Sequence, residues 1–245
     1  MARGLGRCSL ALLATALLGI HARAAGPVKS AAGTPALERY FALDDTSPSD
    51  VRALRHLEAH NDQFNSSAWM DVWTEADASG FRYRVIGEGG SDYIRSKVFR
   101  ACLDGERKMW AENAPARTAL TPANYVFEDA GVHADGLTSF SIKPRRKDAL
   151  LVDGSIYLDP DDGDLVRVEG RLIKSPSFWT RRVDVVRWYR RFAGVRLPVA
   201  LESIADVRFA GESTFRVTYD YEFVNSQRVG SPQPLLAYAG VARRQ

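Results

Sequence analysis

Between residues 138 and 224 the chain is composed largely of stretches in which apolar and polar residues alternate. The last stretch, residues 215–223, puts Phe215, Val217, Tyr219, Tyr221 and Phe223 on one side and Arg216, Thr218, Asp220 and Glu222 on the other. A period of two buries one face of a β-strand and fits no helical stripe. The same alternation sets Val166, Val168, Gly170 and Leu172 against Arg167, Glu169 and Arg171. It also sets Val199, Leu201, Ser203, Ala205, Val207 and Phe209 against Glu202, Asp206 and Arg208. Phe140 and Ile142 mark another strand, and Asp153-Gly154 and the acidic run 159–164 read as turns dividing residues 149–172 into three strands. The expectation is an antiparallel meander with one apolar face and one solvated face.

Upstream, residues 69–75 and 81–88 have strand character, with Phe81, Tyr83 and Val85 opposite Arg82 and Arg84. Three helices are expected. Thr34 and Pro35 open a short first one. Residues 47–64 carry Val51, Leu54, Leu57 and Phe64 on a helical stripe, and a third helix begins at Ser91 or Asp92 and buries Ile94, Val98, Cys102 and Leu103. Residues 111–137 read as loops with a short strand at 125–128. About ten strands at ~4.8 Å spacing would make a sheet some ~45 Å wide, whereas a helix covers only ~10 Å. An apolar face that wide must curl or pair with another sheet. The fold class is therefore α+β, a curved antiparallel sheet of about nine to eleven strands forming a half barrel, with two or three helices on its concave side. A fully packed β-sandwich satisfies the same pattern.

The first 25 residues have the layout of a cleavable export signal: Arg3 and Arg7, an apolar run Leu10 to Ile20, then small residues up to a cut near Ala24 or Ala25. The run is shorter than the ~20 residues a permanent span needs. Residues 26–35 read as a leader, 36–225 as the folded domain and 226–245 as a tail. Without Arg3, Arg7 and Arg23, 30 basic residues face 30 acidic ones, which removes the electrostatic case for nucleic acid as a partner. Cys102 is then the one cysteine, so no intramolecular disulfide forms.

Chemical motifs are weak. His56 and His60 have i, i+4 spacing on the expected second helix, but the glutamate directly after the first histidine of a zinc-protease helix is missing, and a solvated face explains them. The 159–164 run lacks the glutamate of a calcium loop, and residues 87–92 lack the lysine of a phosphate loop. A hairpin turn and a helix cap account for these two. Residues 175–194 interleave arginine and aromatic residues as a nucleic-acid groove does, but arginine stems lying on outer-face aromatics give the same pattern. No catalytic residue, metal or cofactor is indicated, and the reading is non-enzymatic.

The export signal, the helix before a long antiparallel meander, the helix after the early strands, and the stretches at 143–172 and 205–223 together resemble the LolA/LolB-like superfamily of periplasmic lipoprotein-binding proteins. The likeness spans residues 36–225. It implies a half barrel whose apolar interior receives acyl chains of lipids or lipoproteins, in a periplasmic, monomeric protein. Candidate lining residues are Tyr83, Val85, Val168, Leu172, Leu201, Phe215, Val217, Tyr219 and Tyr221. A module with a packed sheet that binds an envelope protein partner or senses envelope stress is the alternative.

Overall fold

The computed structural model describes residues 35–43, 47–111, 118–148, 150–175, 178 and 180–232. The expected export signal and most of the tail lie outside them. Among the described residues, eleven strands form one open antiparallel sheet. β1 (Val51–Asn61), β2 (Ser66–Asp77) and β3 (Gly80–Gly90) form one meander. A helical segment follows, with α2 (Asp92–Ile94) passing through a π-helical turn (Arg95–Phe99) into α3 (Arg100–Ala111). The second meander comprises β4 (Tyr125–Val132), β5 (Thr138–Pro144), β6 (Val152–Leu158), β7 (Leu165–Leu172), β8 (Thr180–Phe192), β9 (Val195–Val207) and β10 (Gly211–Val224). The two meanders join where β10 pairs with β1, so β3 and β4 are the free edges. β11 (Gln227–Arg228) pairs with the end of β10. The remaining helix, α1 (Pro35–Ala42), precedes the sheet.

Two sequence expectations are corrected. Residues 47–64 form no helix. Val51–Asn61 is β1, paired along its whole length with β2 and β10. Ala53, Arg55 and Leu57 share one side of it, and pairing on both edges overrides the helical spacing of Val51, Leu54 and Leu57. Asp153-Gly154 is no turn either; both residues lie inside β6. Gly154 pairs with Gly170, and a Cβ at Gly154 would meet the Glu169 carbonyl oxygen at 2.1 Å. The glycine pair is there for close backbone approach between β6 and β7. The acidic run does turn, between β6 and β7, where the Asp159 carboxylate accepts from the amides of Asp161 and Asp162.

The third helix begins at Ser91, whose hydroxyl accepts from the Ile94 amide. Gly105 does not end it. Ile94, Phe99, Cys102 and Leu103 pack against Leu57, Met70, Val72, Phe81, Leu201, Phe215 and Val217. α1 packs Ala36, Leu37 and Tyr40 against Tyr125, Phe140, Ile142, Ile156, Leu158 and Val168. No helix among the described residues is long and apolar enough to cross a membrane.

Candidate ligand-binding face

Directly paired residues in an antiparallel sheet project from the same face. Leu57 pairs with Val217, Val217 with Leu201, Leu201 with Arg187, Arg187 with Val168, Val168 with Ile156 and Ile156 with Phe140. One row thus crosses seven strands. Its first three residues lie under α3 and its last three belong to the cluster under α1. Both helices therefore rest on the same face. Arg187 stands in the row between the two helix-covered clusters.

All nine residues expected to line a cavity fall on this face and inside its apolar clusters. Leu201, Phe215 and Val217 are buried beneath α3, and Val168 is buried in the α1 cluster. Tyr83 and Val85 are half-buried beside α3, and the Tyr83 hydroxyl donates to Asp104 at 3.0 Å. Leu172 packs with Val183, Val185 and Val207. Tyr221 is buried and donates to the Pro198 carbonyl at 2.7 Å. Tyr219 is half-buried and stacks on Tyr221 with centroids 6.3 Å apart. Phe209, expected on the same face, instead sits exposed on the β9–β10 hairpin with a positive φ. It comes after the last strand residue, where alternation no longer sets direction.

Two arginines on this face escaped the sequence reading. Arg55 lies in the stretch expected to form the second helix. It is buried, reaches the Glu106 carboxylate of α3 through two hydrogen bonds of 2.6 and 3.0 Å, and lies 4.8 Å from the Tyr219 ring centre. Burial alone would lower its pKa, but the charge and hydrogen bonds of Glu106 outweigh burial and raise it. Arg187 was assigned to an outer face among exposed aromatics. It is buried, and its one hydrogen bond is to the Tyr189 hydroxyl, at 3.3 Å. Burial alone would lower its pKa, but interactions with Tyr189, Tyr219 and Tyr125 outweigh burial and raise it. Burial pushes the phenols of Tyr125 and Tyr219 up to about 12, so both are neutral at pH 7 and leave the guanidinium charge uncompensated.

The three histidines among the described residues, His56, His60 and His133, occupy the opposite face and a turn. His56 Nδ1 lies 2.5 Å from Asp71, and its Nε2 lies 3.0 Å from Glu58. Four residues along a strand separate His56 from His60 by roughly 13 Å, too far to share a metal. His133 pairs with Asp135 at 3.0 Å between β4 and β5. Among the described residues no cluster of three metal-ligating side chains forms. Burial raises the Cys102 thiol, which is protonated and inert on the buried side of α3.

No family model and no curated protein matches the chain. Solved structures do. A domain described as an outer membrane lipoprotein-sorting protein, from Vibrio parahaemolyticus, matches at 12% identity over 85% of this chain and 97% of its own, with a TM-score of 0.42. A LolA superfamily protein from Nitrosomonas europaea matches at 9% identity over 83% and 95%, with a TM-score of 0.38. The second carries the superfamily name that the sequence layout resembles.

Proposed function

We propose that the protein is an exported carrier or receptor for acyl chains of lipids or lipoproteins, bound on the helix-covered face of a curved half barrel. The observation that carries this reading is the row of paired residues crossing seven strands, apolar at every position but Arg187, with both helices on it.

Residues under α3 already touch their own chain, so an acyl chain enters by displacing a helix or by lying along the strip between the helices. Tyr189 and Tyr219, both half-buried, border that strip. The lining roles of Tyr83, Val85, Val168, Leu172, Leu201, Phe215, Val217, Tyr219 and Tyr221 belong to this proposal, as do the periplasmic location and removal of the export signal near Ala24 or Ala25. The test is uptake of a fluorescent fatty acid by the mature chain, repeated with Tyr219→Asp. Saturable uptake weakened at least tenfold by the substitution supports the reading. Absence of uptake by a folded protein overturns it and leaves a packed interaction module.

A further inference from the structure

We infer that the face between the two helices holds a subsite for an anionic head group, a carboxylate or phosphate ester, between Arg187 and Ser203. This rests on the proposed binding of apolar chains and adds the chemical class of the molecule that carries the chain.

Two independent observations meet here. Arg187 is buried, and among the described residues no carboxylate lies within ion-pair distance of it. Its one hydrogen-bond partner among the described residues is the Tyr189 hydroxyl. A guanidinium is always protonated, so it cannot relieve the cost of burial by losing its charge as a lysine does. An unpaired buried charge is costly, and an anion placed beside it removes that cost. The second observation is Ser203, 3% exposed, whose Oγ is buried with no hydrogen-bond partner. Ser203 pairs with Val185, two residues from Arg187 on the same face, and Leu201, two residues from Ser203, pairs with Arg187. That makes Ser203 and Arg187 diagonal neighbours, roughly 7 Å apart at their backbones. A head group with several acceptor oxygens satisfies both at once, accepting from the guanidinium and from the serine hydroxyl. Apolar side chains flank the pair on both sides: Leu201, Val217 and Phe215 toward α3, Val168 and Ile156 toward α1. The strip thus offers one polar anchor with apolar surface on either hand, which matches an anionic amphiphile.

The experiment measures binding of dodecanoate, dodecyl phosphate and dodecanol to the mature chain at pH 8, with acetate and inorganic phosphate as heads lacking a chain. A charge-assisted hydrogen bond predicts that the two ionised amphiphiles bind about tenfold or more tightly than the alcohol. Arg187→Met should erase that preference while dodecanol binding persists, Arg187→Lys should keep part of it, and Ser203→Ala should weaken it severalfold. Equal affinity of wild-type protein for dodecanol and dodecanoate overturns the head-group site yet leaves chain binding intact. Failure of all three chains to bind overturns the functional reading itself. Inorganic phosphate competing as strongly as dodecyl phosphate contradicts an amphiphile subsite. The wild-type comparison needs no variant, and a melting temperature for Arg187→Met at or above wild type shows that Arg187 is no structural keystone.

Discussion

Arg55 and Arg187 are buried on the same face of the same sheet, and the chain treats them differently. Around Arg55 the fold is closed: α3 supplies Glu106 as a two-pronged carboxylate partner, and the rings of Phe81 and Tyr219 lie against the guanidinium at 5.2 and 4.8 Å. Arg187 donates a hydrogen bond to the Tyr189 hydroxyl, and among the described residues neither helix brings a carboxylate within ion-pair distance of it. A third buried arginine, Arg196, resembles Arg55, since its Nε donates to Asp164 at 2.7 Å and it lies over the Tyr40 ring of α1. Arg55 on β1 and Arg196 on β9 are thus each held by a carboxylate, and each reaches a helix, α3 through Glu106 and α1 through the Tyr40 ring. Arg187, on β8 beside β9, has no carboxylate within ion-pair distance among the described residues. The contrast separates positive charge used to fasten helices from positive charge left for something outside the chain.

The strongest way to sharpen this comparison is Glu106→Gln, which strands the Arg55 charge beneath α3. It should destabilise the protein by about 3–5 kcal/mol in a denaturant titration. Next comes Asp164→Asn. Burial alone would raise the Asp164 carboxyl, but hydrogen bonds from Arg191 and the charge and hydrogen bond of Arg196 outweigh it and hold its pKa below the ordinary 3.8. A depressed folded pKa means this contribution is complete above the unfolded value and disappears as pH falls through the folded one. Asp164→Asn should cost about 1–3 kcal/mol at neutral pH and flatten the loss of stability below about pH 4. Tyr189→Phe removes one long, charge-assisted hydrogen bond donated by Arg187 and should cost about 1.5 kcal/mol. Arg187→Met should be the smallest, near zero or stabilising, because no carboxylate is stranded by it. A loss of about 3 kcal/mol there, equal to that of Glu106→Gln, breaks the distinction between the two arginines.

Strand alternation made much of this fold legible. Period two gives the faces of β3, of β7 from Val168, of β9 from Leu201 and of β10 from Phe215 to Tyr221, and the nine proposed lining residues share one face; bulges break it at Val166 and Phe223, where Leu165 and Val224 take the inward places. The cap at Ser91 and the buried side of the following helix were also visible, because capping and 3.6-residue spacing are local signals. β1 was misread because alanine, leucine and arginine favour helices and because Arg55 looked polar. Its inward position depends on Glu106, 51 residues away, which no window along β1 contains. Arg187 was misplaced for a related reason. Among so many arginines and aromatics in residues 180–192, direction is set by pairing with Leu201 and Val168, which a single strand does not disclose.

The most direct test of acyl-chain binding is native mass spectrometry, with lipid extraction, of the protein purified from the compartment to which it is exported. The account predicts a mature chain beginning near Gly26 that carries a co-purified acylated molecule, lost in Tyr219→Asp. A ligand-free mass, with no uptake of fluorescent fatty acid by the same preparation, would contradict it.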